Sequence, residues 1–213
     1  MVPEDKNKST SLSLLERVKG SDDEAWQRLV GLYAPMIYAR CRQDWKLTGP
    51  DAENVGQDVF AAIVRSIGKF ERQRTGSFRK WIRTITDNKC RDYLRKNPLL
   101  FQDNDSVRQQ LLQNLPDGID ESADSEIELR DRALMMRQAI GEIENEFSSR
   151  DLEIFWNAAI DERASEDIAS RFDISVNVVY IVCSRIKKRL RETFQDLLDD
   201  DLISQDPLEF QEG

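Results

Sequence analysis

Hydrophobic residues recur along most of this 213-residue chain at the three- and four-residue spacing of α-helices, and no segment alternates as a β-strand does. Two helices are predicted within residues 12–42, where Ser21 or Asp22 can cap the second. A third helix begins near Asp51, and a fourth ends at Pro98. Their apolar stripes are Val55, Val59, Ile63 and Ile67, and Phe78, Ile82, Ile85, Cys90 and Leu94. The pattern predicts an all-α protein.

Residues 98–130 differ from the helical blocks on either side. They are polar, acidic and rich in turn-forming residues, which predicts a flexible linker between two small helical domains. Helical spacing then returns, and Ser148 and Asp151 fit a capping box within it. The predicted organisation is a disordered amino terminus, a helical domain, the acidic linker, a second helical domain and an acidic tail, at residues 1–11, 12–97, 98–130, 131–195 and 196–213.

Residues 164–189 have the spacing of a helix-turn-helix. Ile168 and Ala169 would face inward on its first helix, and the small Ala169 allows the second helix to approach closely. Asp173 falls at the turn, where a left-handed backbone is often needed, and Ser175 is placed to cap the second helix. That second helix would bury Val179, Cys183, Ile186 and Leu190.

The outward face of the second helix carries residues that can read DNA. A recognition helix presents its amino-terminal residues to base edges in the major groove and its basic residues to phosphates. The candidate contacts are Asn177, Val178, Tyr180, Ile181, Ser184, Arg185 and Lys188, with Lys187, Arg189 and Arg191 as further phosphate candidates. The alternative is a plain helical hairpin whose basic end complements the helix dipole.

The charge of the chain is segregated, so its net value of −9 does not exclude DNA binding. Residues 1–97 hold 19 basic and 13 acidic residues, whereas residues 98–130 hold 2 and 8 and residues 192–213 hold 0 and 8. Phosphate affinity would come from the basic faces, while the acidic linker and tail stay away from the DNA.

The most basic stretch, residues 65–96, holds eleven Lys and Arg against three Asp and Glu, with aromatic residues interleaved. Cations that hold the backbone and rings that stack on unpaired bases are features of single-stranded DNA surfaces. The candidate contacts are Phe70, Arg72, Arg74, Phe78, Arg79, Trp81 and Arg83. The alternative is that Phe78 and Trp81 belong to the core and that the basic residues form a solvated face.

The composition gives little support to catalysis or metal binding. The chain has no histidine and no Gly-rich phosphate loop, and we find no nucleophile–base set. Cys41, Cys90 and Cys183 are far apart among apolar positions, which predicts buried free thiols. We therefore expect no enzyme activity, cofactor or metal. A cytoplasmic protein without membrane insertion is predicted, because no apolar run approaches the ~20 residues of a membrane span and the first ten residues lack a signal-peptide core.

The two helical blocks together resemble the extracytoplasmic-function (ECF) group of the RNA polymerase sigma factor superfamily. Residues 57–60, Gln-Asp-Val-Phe, are similar to the Gln-acid-x-Phe signature of sigma region two. Residues 78–82 resemble the Phe-Arg-x-Trp-Leu run of that region, which continues here with Asn88, Asp92 and Arg95. Residues 151–191 are similar to region four, notably at Asp167-Ile168-Ala169, Ile174-Ser175 and Lys188-Arg189-Leu190-Arg191.

The resemblance implies a promoter-specificity subunit that directs DNA-templated transcription initiation. Residues 12–97 would be region two, which binds core RNA polymerase and captures unpaired bases of the minus-ten element. Residues 131–195 would be region four, whose recognition helix reads the minus-thirty-five element, and the acidic linker would follow the RNA exit path. The implied polymerase contacts are Glu53, Gln57, Asp58 and Phe60.

The recognition helix departs from the family, because Tyr180, Ile181 and Val182 stand where basic and polar residues are usual. Minus-thirty-five binding would then be weak, or its sequence unusual. Two alternatives stay open: a helix-turn-helix regulator that binds duplex DNA without polymerase, and a sigma-like adaptor that no longer reads DNA. The acidic tail, residues 196–213, would be solvated or would contact an anti-sigma factor or another regulator.

Overall fold

The computed structural model describes residues 14–71, 77–97, 124–194 and 197. All regular elements within these ranges are helical, which confirms the all-α prediction. The first half contains α1 (Leu14–Lys19), α2 (Asp23–Ala39), α3 (Gly49–Ser66) and α4 (Ser77–Lys96). The second half contains α5 (Asp124–Ile143), α6 (Ser149–Ala159), α7 (Ser165–Phe172) and α8 (Val176–Phe194). A π-helical turn, Arg40–Asp44, continues α2, and the 3-10 turns Ile67–Lys69 and Glu144–Glu146 follow α3 and α5.

Local chemistry sets several helix ends where the sequence predicts them. An Asp22 carboxylate oxygen accepts a hydrogen bond from the Ala25 amide at 3.0 Å and caps α2. The Ser148 hydroxyl accepts from the Asp151 amide at 3.1 Å and caps α6. Pro50 lies in the first turn of α3, where its missing N–H leaves no helical bond unmade.

The core of the first half lies between α2, α3 and α4. The predicted stripe of α3 is buried at Val55, Val59 and Ile63, and Ile67 of the following turn is buried with it. Each fully buried aliphatic side chain contributes about 1.5–3 kcal/mol to folding. The apolar side chains at helical spacing therefore stabilise these helices by packing them against each other.

The three cysteines are buried free thiols, as predicted. The sulfur atoms of Cys41 and Cys90 lie 3.6 Å apart, and this contact, together with burial, raises the pKa of the Cys90 thiol. Burial raises the pKa of Cys183 to about 11. Thiols that resist ionisation are poor nucleophiles and metal ligands, so Cys90 and Cys183 serve the core.

The prediction of a linker over residues 98–130 is wrong at its carboxyl end, because α5 begins at Asp124. The acidic composition of residues 124–130 indicates a solvated segment, because composition alone does not show which side chains its carboxylates contact. Within this segment Glu128 bonds Arg79 of α4, 49 residues earlier in the chain, and the adjoining Asp131 bonds Arg83. The rest of that linker, like the predicted disordered terminus at residues 1–11 and the tail beyond Leu197, lies outside the described residues.

Helix α5 connects the two halves. It packs against α2 of the first half and against α8 of the second, and buries Met135, Met136, Ala139, Ile140 and Ile143. The end of α8 also contacts α2: Arg28 donates to the Thr193 carbonyl and the Tyr33 hydroxyl donates to the Leu197 carbonyl, both at 2.8 Å. The two predicted domains therefore share a continuous core in this structure.

Candidate nucleic-acid interface

Helices α7 and α8 form the predicted helix-turn-helix. Ile168 and Ala169 are buried on α7, and the small Ala169 side chain lets α8 lie close. Asp173 ends α7 in the left-handed conformation, with φ 51°, which Asp tolerates better than most residues. The Ile174 amide then donates to the Ala169 carbonyl at 3.0 Å and fixes the sharp turn into α8.

The outward face of α8 gathers the predicted recognition residues. Its inward stripe, Val179, Cys183, Ile186 and Leu190, is buried as expected. The opposite side exposes Asn177, Val178, Ile181, Ser184, Arg185 and Lys188 and leaves Tyr180 partly exposed. Helical geometry, at 100° per residue, puts these seven positions on one side of the helix. Helix α8 therefore presents these residues on one face, and the major groove of DNA is wide enough to admit an α-helix.

The basic residues of α8 divide into two groups. Arg185, Lys188 and Arg191 are exposed, and Arg185 lies 5.8 Å from the centre of the Phe147 ring. Lys187 is buried, and Arg189 makes two bonds to the Glu146 carboxylate at 2.5 and 2.7 Å, which lowers the pKa of Glu146. Lys187 and Arg189 therefore serve the fold, and these two phosphate candidates are not presented as the sequence suggests.

The predicted polymerase contacts lie on α3. Glu53, Gln57 and Asp58 are exposed, and Phe60 is partly buried against the core. Glu53, Gln57 and Phe60 follow each other at intervals of four and three, which gives them one common face. Asp58 lies to the side of that face.

The aromatic residues predicted to contact a melted strand form a cluster at the start of α4. Phe78 is fully buried and lies 5.0 Å from Phe70 and 5.4 Å from Tyr33, measured between ring centres. Phe70 is also buried, so the core interpretation of Phe78 is correct and extends to Phe70. Trp81 lies at the edge of the cluster, 4.9 Å from Phe70, and remains partly exposed. Of the cluster residues on α4, Trp81 is thus the one that is partly exposed.

The arginines of the same predicted surface are covered rather than exposed. Arg79 is 1% and Arg83 6% exposed, and carboxylates of α5 contact both side chains. The Arg79 guanidinium bonds to Glu128, and Arg83 donates to Asp131 at 3.0 Å. The predicted exposure of Arg79 and Arg83 is therefore wrong for this arrangement, while Arg72 and Arg74 lie outside the described residues.

These contacts belong to a longer row of alternating charges, here called the charge ladder. Arg130 of α5 bonds both Asp44 oxygens at 2.8 Å, and Arg40 bonds Asp44 at 3.2 Å and Asp87 at 2.6 and 2.7 Å. Asp131 is completely buried; burial raises its pKa, and the neighbouring arginines oppose that shift. The charge ladder consists of Asp87, Arg40, Asp44, Arg130, Asp131, Arg83, Glu128 and Arg79.

Sequence reasoning missed the acidic and basic partners within this ladder. A signal does exist: Arg79 and Arg83 are four residues apart on α4, and Glu128 and Asp131 are three apart on α5, so each pair occupies one helix face. Matching charged pairs on two helices are common, however, and the sequence does not say which helices meet.

Within residues 14–71, 77–97, 124–194 and 197, no group of acidic or cysteine side chains is arranged to hold a metal ion. None of the helices described combines the length and apolar character required to cross a membrane.

Comparison with known proteins identifies the first helical block. Residues 29–98, a third of the chain, match the family model of Sigma-70 region 2. The match spans α3, α4 and most of α2, and therefore includes the predicted polymerase face and the aromatic cluster. No curated protein matches the chain. This match shows that residues 29–98 are similar to region 2 of the sigma-70 family, and it supports a sigma factor of that family.

Proposed function

We propose that this protein is a sigma factor of the ECF type, which brings core RNA polymerase to a defined set of promoters. Region 2 binds polymerase through α3 and holds the melted minus-ten strand near Trp81. The helix-turn-helix reads the minus-thirty-five element with α8. The protein acts in the cytoplasm, where polymerase and chromosome meet, and it contributes recognition rather than catalysis.

One observation carries this proposal: a chain with a region 2 match also presents an exposed helix-turn-helix face in its second half. Two DNA-reading elements on one chain suit a promoter, because its two elements are read in different states, one as duplex and one as separated strand. A regulator that binds duplex DNA alone has no use for region 2. An adaptor that had lost DNA reading would not need exposed Arg185 and Lys188 on α8.

The proposal predicts that the purified full-length chain binds core polymerase, and co-elution in size-exclusion chromatography at low salt measures this. Asp58→Lys should weaken the complex, since it reverses an exposed charge beside the predicted polymerase face. Glu142→Lys makes the same charge change on exposed α5 surface and should leave the complex intact. If both variants bind polymerase as well as the wild-type protein does, the role of α3 is contradicted. If the wild-type protein forms no complex, the proposal itself is contradicted.

The recognition helix should read thymine. Val178 and Ile181 are 38% and 50% exposed and lie about one turn apart on the outward face. Aliphatic side chains cannot hydrogen-bond a base edge, and the apolar feature of the major groove is the thymine methyl group. Replacing thymine by deoxyuridine at one minus-thirty-five position should therefore lower holoenzyme binding roughly fourfold, the effect expected from one lost methyl contact.

Matched variants separate base reading from phosphate contact. Val178→Ala or Ile181→Ala should abolish the sensitivity to deoxyuridine, whereas Val64→Ala, at an exposed position of α3, should retain it. Arg185→Ala should weaken binding to all duplexes about equally and reduce its salt dependence. Equal binding of thymine and deoxyuridine duplexes at all positions would rule out the methyl contact.

A further inference from the structure

We propose that α5 is an intramolecular competitor for the single-strand surface of region 2. In the closed form seen here, its carboxylates occupy the arginines that would otherwise hold DNA phosphates, and α5 must leave before the melted strand can bind. This inference rests on the proposed function, because it concerns regulation of the same surface. According to this inference, α5 controls whether region 2 can bind the minus-ten strand.

The first support is the chemistry of the contact. Glu128 bonds Arg79 and lies 3.8 Å from Arg83, while Asp131 bonds Arg83 at 3.0 Å. Carboxylates and phosphates both accept charge-assisted hydrogen bonds from guanidinium groups, so they compete for the same donors. The α5 carboxylates therefore stand where backbone phosphates would stand in a DNA complex.

The second support is burial. Arg79 and Arg83 are 1% and 6% exposed in the closed form, so neither side chain has free surface for a phosphate there. Buried arginines without compensating charge are strongly unfavourable, so region 2 alone would seek an anionic partner for them. Helix α5 and the DNA backbone are alternative partners, and the two cannot bind together.

The third support is that α5 is not the only element of the second half that contacts region 2. Its basic residue in the ladder, Arg130, bonds Asp44 of region 2. Arg28 and Tyr33 of α2 bond the end of α8 and Leu197 beyond it. The closed form thus attaches the whole second half to region 2. The recognition face of α8 nevertheless remains exposed.

This asymmetry gives an order of events. The closed protein can present Val178 and Ile181 to duplex DNA, but it cannot offer Arg79 and Arg83 to a separated strand. Duplex recognition would come first, and release of α5 would follow when polymerase or the melted strand competes for region 2. Closure would also limit binding to single-stranded nucleic acid away from promoters.

The test uses the full-length chain and a labelled, unstructured single-stranded DNA oligonucleotide. Glu128→Gln removes the carboxylate charge from Arg79 but keeps the side-chain size, and it should tighten single-strand binding by roughly tenfold, as expected for loss of a charged hydrogen bond. Glu126→Gln removes the same charge from an exposed site on α5 and should change the affinity by less than about twofold. Hydrogen exchange on wild-type protein should show α5 amides exchanging faster once DNA is bound.

The outcomes separate the switch from the function. Tighter binding of Glu128→Gln than of Glu126→Gln, with faster exchange in α5, supports the switch. Equal binding by all three proteins, or unchanged exchange of α5 in the DNA complex, overturns the switch and leaves the sigma function standing. Failure of all three to bind single strands, even with core polymerase present, contradicts the proposed function and the switch with it.

Discussion

Asp131→Ala is expected to lower the free energy of unfolding by about 3–5 kcal/mol, the usual effect of removing one partner from a buried ion pair. Asp131 is completely buried and accepts from Arg83 at 3.0 Å, so its loss leaves a buried guanidinium with less compensating charge. Urea unfolding of the full-length protein, followed by circular dichroism, measures the change.

Glu146→Ala is the matched control, because it removes an equally well-formed contact to Arg189 that is exposed. Its effect should be far smaller, since solvent screens exposed pairs and their contribution is low. If the two substitutions lower the free energy of unfolding by similar amounts, burial does not determine how much Asp131 contributes to stability. A stable Asp131→Ala protein would contradict the ladder as described.

Trp81→Ala is expected to impair promoter opening much more than the initial binding of holoenzyme to duplex DNA. Stacking of one unpaired base on an aromatic side chain contributes about 1–3 kcal/mol, so the open complex should fall roughly five- to 150-fold. Trp81 is suited to this role because it is partly exposed, whereas Phe70 and Phe78 beneath it are buried. Permanganate reactivity of the minus-ten thymines reports opening, and footprinting of the minus-thirty-five element reports binding.

Trp26→Ala controls for the loss of a partly buried tryptophan, since Trp26 packs against the same core from α2. It should lower stability to a comparable degree without a selective effect on opening. Both variants are compared at a temperature at which circular dichroism shows them folded. An opening defect of equal size in the two proteins would assign Trp81 to the core alone.

The parts of the fold that depend on local chemistry could be predicted from the sequence. The α8 stripe, the caps at Asp22 and Ser148 and the turn at Asp173 each follow from residues within one or two helical turns. The recognition face could be predicted for the same reason, because once the buried stripe of a helix is known its outward positions are known too.

The surface of region 2 could not be predicted in the same way. Arg79 and Arg83 look like solvated cations in the sequence. Their partner Glu128 looks like part of an acidic linker, and Asp131 looks like the first residue of the second domain. Both interpretations are wrong for the same reason, because each set of charged residues is read without its partner. The two sets neutralise each other across almost fifty residues of chain. Local patterns carry no information on which distant helices meet.

The aromatic cluster shows a related difficulty. Interleaved aromatic and basic residues fit both a base-stacking surface and a core edge, and the spacing of Phe78 and Trp81 does not separate the two. The rings of Tyr33 and Phe70, which come from other elements, decide the matter by burying Phe78. Trp81 alone keeps an exposed edge among the rings of α4 in this cluster.

Run-off transcription with core polymerase tests the central claim most directly. Genomic fragments are transcribed by core enzyme with and without the purified protein, and the starts are mapped. The account predicts new starts that share a minus-ten and a minus-thirty-five element and that disappear with Trp81→Ala but not with Trp26→Ala. Transcription that is the same with and without the protein, on every template, would contradict it.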